Sequence, residues 1–311
     1  MTHVQLTYNL TMTSESMDTM RYLEAADGTR LYYWVQRCAT QSAPAVLLIH
    51  GAASNHTRWS EFTRSTSLSN RFDMVRPDMR GNARSMCRGK LDLGTWCRDL
   101  KAILEAEGYG PSIVVGHSLG AQIALHLAAT CRERVGALAL IDPVVPKALK
   151  GRRRWTKRME PVIRPGVWLL RAINRLGLRR REFPLMDLED LDKKTRADMR
   201  GDHPQEELVR RYSALGLILK YMPTANYVQQ IMATAAPLPG LEEITAPTLV
   251  LESAGVDFMD RTLSRAELAR LPNMVLVEID ATHWPLTERP DDVREAIEAW
   301  ARQLELPAAP L

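Results

Sequence analysis

The chain has 311 residues, of which 45% are hydrophobic and 25% charged, and its formal net charge is only +4. This is globular composition, enough for one large domain or a core with an insertion, and the overall charge points to no polyanionic partner. No apolar run approaches the ~20 residues of a membrane-spanning helix, and the N-terminal stretch lacks a basic segment followed by an apolar one, so no secretory signal is read there. Four scattered cysteines (Cys38, Cys87, Cys97, Cys131) show no metal spacing and read as reduced thiols of a cytoplasmic protein.

In chain order, "TMRYLEAADGTRLYYWVQR" predicts a hairpin, with Asp27-Gly28 turning between two strand-like runs. Buried strands follow at 45–51 (AVLLIHG), 72–78 (FDMVRPD), 112–118 (SIVVGHS), 135–142 (VGALALID), 248–253 (TLVLES) and 274–280 (MVLVEID). These runs are apolar throughout rather than alternating, as parallel strands covered on both faces require. Helical periodicity fills 92–107, 119–130 and 291–304. Strands alternating with helices predict an α/β fold whose mostly parallel sheet is flanked by helices. From about Val144 to Leu241 no buried strand is legible; the stretch is helical in composition and rich in arginine and proline. We read residues 21–143 and 242–305 as the two parts of one core, and 144–241 as a helical cap inserted after the sixth strand.

Within this pattern, "VVGHSLGAQ" places Gly116 and Gly120 two residues before and two after Ser118, where an apolar run stops and a helical one starts. A strand turning sharply into a helix holds its turn residue in a strained conformation with the side chain projecting free. Side chains two positions either side would collide across the turn. The serine oxygen then sits at a helix N-terminus, where unpaired N–H groups favour negative charge. That is a nucleophile elbow.

With the elbow, the stretches "LLIHGAAS" (47–54), "VRPDMRGNARS" (75–85), "LALIDPVVP" (138–146) and "DATHWPLTERPDDV" (280–293) resemble the α/β-hydrolase fold family in order, over nearly the whole chain outside the cap and the first twenty residues. Asn82 departs from the family, which usually has histidine there, and the acid loop "ESAGVDFMD" is about one residue longer than usual. The resemblance implies a triad in the order Ser, acid, His. Of the histidines after Ser118, His126 is about 12 Å along the same helix at ~1.5 Å per residue, and His203 lies in a polar cap loop. His283, just past the last strand, fits both geometry and family. The acid expected by family spacing is Asp257, with Asp260 as runner-up; Asp142 would serve only in a variant arrangement and otherwise reads as a turn acid before Pro143. Ala52 and Leu119 are expected to supply the two N–H donors of an oxyanion hole. His50 and His117 are expected to shape the site without exchanging protons.

The set implies a serine hydrolase acting on carboxylic esters, with a small-molecule substrate of apolar acyl or aromatic character and neither metal nor cofactor. Lipase, thioesterase, lactonase and carbon–carbon hydrolase activity use the same triad and stay open, as does a ligand-binding receptor on this scaffold. Segment 147–181 carries thirteen Lys or Arg against one acid, Glu160, a charge of +12 within a chain of net +4. Helical projection puts Arg164, Trp168, Arg171 and Arg175 on one side and Ile163, Val167, Leu169, Leu170, Ile173 and Leu176 on the other. Such a segment suits either packing on the core with a solvated basic face or weak association with an anionic membrane surface. No nucleic-acid-binding motif accompanies the charge, so no nucleic-acid partner is expected.

Overall fold

The protein is described here by a computed structural model covering residues 18–40, 42–151, 156–176, 180, 182–198, 211–212, 214–256 and 258–304. Eight strands form one sheet in the order β1-β2-β4-β3-β5-β6-β7-β8. They are β1 (Asp18–Glu24), β2 (Arg30–Gln36), β3 (Ala45–Ile49), β4 (Asp73–Pro77), β5 (Ser112–His117), β6 (Val135–Ile141), β7 (Thr248–Ser253) and β8 (Met274–Ile279). β1 and β2 form the expected hairpin, with Gly28 at φ 77° in its turn. β2 joins β4 antiparallel, and every later pairing is parallel. The continuous apolar runs of β3 to β7 are buried because helices cover both faces, whereas β8, expected as a buried strand, lies at the sheet edge and is largely half-exposed, with Val275 52% exposed. Val46 and Leu48 face a layer that includes Trp59, Phe62, Val293 and Ile297. Leu47 and Ile49 face the opposite layer with Leu100, Ile103, Ile123 and Leu127.

Among the described residues the α-helices are α1 (Ser60–Ser65), α2 (Leu93–Ala106), α3 (Leu119–Thr130), α4 (Thr156–Arg175), α5 (Leu188–Asp198), α6 (Leu215–Tyr221), α7 (Thr224–Thr234), α8 (Arg261–Leu268), α9 (Pro285–Glu288) and α10 (Pro290–Ala301). Asp92 caps α2 by accepting from the Thr95 N–H at 2.8 Å. Between β6 and β7 the described residues hold helices α4 to α7 and no strand. The start of this insertion is stitched to the loop after β7: Lys150 N–H donates to the Phe258 carbonyl at 2.8 Å and Asp260 N–H to the Ala148 carbonyl at 2.7 Å. No helix among the described residues is long and apolar enough to cross a membrane.

Sheet register fixes where chemistry can occur. Ile49 pairs with Gly116, and His117 pairs with Ile141. Leu251 pairs with Ile141, and Asp142 N–H donates to the Leu251 carbonyl at 2.9 Å. The segments after β3, β5, β6 and β7 therefore emerge side by side at the carboxyl end of the sheet, where ligands bind in open α/β sheets.

Candidate active site

Ser118 follows β5 and immediately precedes α3. Its backbone sits at φ 54°, ψ −117°, a conformation that costs a non-glycine residue ~1–3 kcal/mol. The strain comes from reversing a strand into a helix at one residue: Ser118 N–H still donates to Ile141 of β6 (2.9 Å), while its carbonyl already accepts from Ala121 (3.1 Å). The two glycines have different reasons. A Cβ on Gly116 would meet the Gly120 carbonyl oxygen at 2.4 Å, the collision across the turn expected from sequence. A Cβ on Gly120 would instead meet the Ile49 and His50 carbonyl oxygens at 2.4 and 2.6 Å. Gly120 is thus needed for α3 to lie against the end of β3.

His283 lies in the loop between β8 and α9, and its Nε2 is 3.0 Å from Ser118 Oγ. Several groups fix the ring. His117 Nε2 donates to the His283 carbonyl at 3.2 Å, and Phe258 meets the imidazole edge-on with centroids 4.6 Å apart. Glu288 accepts from Thr282 N–H at 3.0 Å and from its hydroxyl, holding the preceding residue; burial pushes the Glu288 carboxyl up. Burial holds His117 well below the usual imidazole range, with the neighbouring His283 adding to the effect. It is a neutral donor that braces the loop.

Among the described residues, the one carboxylate within ion-pair distance of His283 Nδ1 is Asp142, whose Oδ2 lies 3.6 Å away, beyond an ordinary hydrogen bond. Asp142 is 1% exposed, stands at φ 43° at the end of β6, and accepts from both the N–H and the hydroxyl of Ser253 at 2.7 Å. It therefore does more than turn the chain before Pro143. Asp260, the runner-up in sequence, is used elsewhere: its carboxylate caps α8 by accepting from Leu263 N–H at 3.1 Å. Asp257, the acid expected by family spacing, lies outside the described residues. His117, Asp142 and His283 each bring one potential ligand atom within 4.8 Å of the others; His117 Nε2 and His283 Nε2 already face the His283 carbonyl and Ser118 Oγ.

Beside Ser118, Leu119 opens α3, so its N–H is among the four that have no acceptor within the helix. Ala52 follows β3 on the same cavity wall. His50 secures that loop from below. Its Nε2 accepts from Met79 N–H at 3.0 Å, so the proton sits on Nδ1, which donates to the Gly51 carbonyl at 2.8 Å. Burial lowers its pKa to about 4. Gln230 of α7 secures the loop from above, a residue sequence reasoning missed. Its Oε1 accepts from Ala53 N–H at 2.8 Å, and its Nε2 donates to Asn82 Oδ1 at 3.0 Å. Asn82, the departure from the family pattern, is thus the partner that orients Gln230, and Ala53 is held at φ 51°.

The cavity above these atoms has a volume of about 340 Å³, within the range of small-molecule sites. The insertion supplies much of its apolar wall, including Leu188, Leu217, Ile218 and Ile231. Tyr221 and Met222 line a small neighbouring void, and Met232 faces a separate groove. One side is polar. Buried Arg58 donates to Asp192 of α5 (2.5 Å) and to Thr287 (3.0 Å), and Tyr212 donates to the same carboxylate (2.5 Å). Burial pushes the Tyr212 hydroxyl up to about 12, so it stays a donor.

The Alpha/beta hydrolase family pattern matches residues 46–296, and the chain belongs to that family. Among characterised relatives, lipase LipV of Mycobacterium tuberculosis is 35% identical over 119 residues, which are 38% of this chain and 44% of the lipase. A probable protein phosphatase methylesterase 1 of Caenorhabditis elegans is 31% identical over 114 residues, 34% of this chain and 31% of that protein. The chain thus matches less than half the length of either. Among solved structures, an esterase from Thermogutta terrifontis superposes with a TM-score of 0.64 at 20% identity, covering 93% of this chain and 99% of the esterase. The enol-lactonase of Burkholderia xenovorans gives 0.66 at 19% identity, covering 91% and 100%. At such identity these structures speak to the fold.

Proposed function

We propose that the protein is a serine hydrolase that cleaves carboxylic esters with apolar acyl or aromatic groups through an acyl-enzyme on Ser118. The observation that carries this reading is the 3.0 Å approach of His283 Nε2 to the oxygen of a strained serine at the floor of a mostly apolar cavity. A hydroxyl is a poor nucleophile until a base within hydrogen-bond reach takes its proton. His283 takes it as Ser118 Oγ attacks the ester carbonyl. The tetrahedral oxyanion rests on the N–H groups of Ala52 and Leu119. Protonated His283 is stabilised by Asp142, then gives its proton to the departing alcohol. Water attacks the acyl-enzyme through the same base, and Ser118 is restored. The insertion acts as a cap whose aliphatic side chains receive the apolar part of the substrate, while the Arg58–Asp192 pair holds the polar wall in place.

The test is Ser118→Ala, at a position where the smaller side chain relieves no packing. The variant should fold as the parent does, with turnover of a p-nitrophenyl ester reduced ~10³-fold or more. A fluorophosphonate should label the parent stoichiometrically and leave the variant unlabelled. Parent-like turnover in the variant would overturn the assignment. A panel of esters of graded acyl length, with thioesters, lactones and acylglycerols alongside, then ranks the substrates that present the same carbonyl to the same atoms.

A further inference from the structure

An amphipathic helix on a globular protein ordinarily turns its apolar stripe inward. α4 does the reverse. Its packed side is narrow: Val167 is 7% exposed and faces α7. Residues spaced by seven repeat nearly the same direction on a helix, and Val162, Leu169 and Leu176 form such a row, exposed by 67, 54 and 81%. Leu176 continues the helical path, its N–H donating to the Ala172 carbonyl at 3.1 Å. At 100° per residue this row lies roughly opposite Val167. Trp168, 68% exposed, stands on one shoulder and Leu170, 39% exposed, on the other. The aliphatic side assigned from sequence to packing is therefore mostly the outer surface.

Five large apolar side chains in solvent along one helical path mark a surface with a partner. The charge of the same segment says which. The helix sits inside the 147–181 stretch with its thirteen basic residues and single acid, in a chain otherwise net negative. Arg164 is exposed on the Trp168 side of the row. A nucleic-acid surface has no use for an aliphatic row. A tryptophan and leucines exposed on one helix within so basic a stretch match the interfacial layer of an anionic bilayer, where the apolar row enters the acyl boundary and neighbouring cations meet headgroups.

We propose that the outer face of α4 docks on an anionic membrane surface, with Val162, Trp168, Leu169 and Leu176 inserted at the interface and the net positive charge of the 147–181 stretch drawing it to the headgroups. Docking this way leaves the sheet and the Ser118 cavity outside the bilayer. It is independent of catalysis, so Ser118→Ala should bind as the parent does.

The experiment is co-sedimentation of the full chain with sucrose-loaded vesicles of phosphatidylcholine, with and without phosphatidylglycerol. Uptake should require phosphatidylglycerol and decline as salt screens the headgroups. The triple substitution W168S/L169S/L176S alters only exposed positions and should keep the parent's circular dichroism and its hydrolysis of a short soluble ester. Its partitioning to anionic vesicles should fall roughly tenfold or more. Absence of uptake at low salt, or equal uptake by parent and triple variant, would overturn the proposal. So would a parent that stays off vesicles yet runs as an oligomer that the triple substitution dissociates, since the row would then be a self-association surface.

Discussion

Asp142→Asn is the substitution that separates the geometry of the site from family spacing. The side chain is nearly isosteric, and its amide oxygen can still accept from Ser253 N–H, so the end of β6 should stay in place. What changes is the partner of His283 Nδ1. Full charges 3.6 Å apart attract by about 5 kcal/mol at an effective dielectric near 20. That attraction exists only while His283 is protonated, during passage over the tetrahedral intermediate. With each ~1.4 kcal/mol worth a factor of ten in rate, its loss should lower kcat/KM by about 10³. An amide NH₂ facing Nδ1 also favours the tautomer with its proton on Nε2, which cannot accept from Ser118, and this takes the loss toward ~10⁴. The assay is p-nitrophenyl butyrate hydrolysis by D142N and D257N side by side, with thermal melts to confirm folding. D142N within about tenfold of the parent, together with an inactive D257N, would refute the role given to Asp142.

Gly120→Ala places a methyl 2.4 Å from the Ile49 carbonyl oxygen; it should destabilise the fold by about 3 kcal/mol or more, read in urea denaturation, and a near-neutral result would mean that α3 does not press on β3 as described. Gln230→Ala leaves Ala53 N–H and Asn82 Oδ1 without their partner, for a stability loss of about 1–3 kcal/mol and a drop in kcat larger than any rise in KM; unchanged steady-state kinetics would detach α7 from any influence on the loop that carries Ala52. His50 is held neutral, with its pKa lowered from 6.5 to about 4 by burial. The unfolded chain takes up the proton first as pH falls, so this stability is complete above pH 6.5 and is lost as pH drops through 4. The loss should amount to about 3 kcal/mol; thermal melts of His50→Gln should show a shallower decline across that window, and a parallel decline would contradict it.

The strands were readable because helices bury both sheet faces, leaving apolar runs such as "AVLLI" that admit no other placement. Ser118 was readable because steric exclusion leaves a spacing of glycines, and His283 because one loop alone met the order and distance required. For the carboxylate a choice stayed open, since Asp142, Asp257 and Asp260 all follow strands. Which faces an imidazole depends on how neighbouring strand ends align, as Ile141 and Leu251 do here. Gln230 carries no motif; its meaning lies in Asn82 and Ala53, far away in the chain. For α4 the periodicity separated two sides without saying which would be covered, and only the neighbours of Val167 decide that.

The paired hydrogen bonds of Gln230 have a consequence for how substrate gets in. The same amide clasps the insertion to the loop carrying Ala53 and to Asn82 after β4. Any swing of α7 wide enough to admit a bulky molecule must first unlatch that amide, freeing the segment next to Ala52 at the same moment. A molecule opened that far would hold its guest with that segment slack, and would regain the bracing of Ala53 only as the latch re-formed.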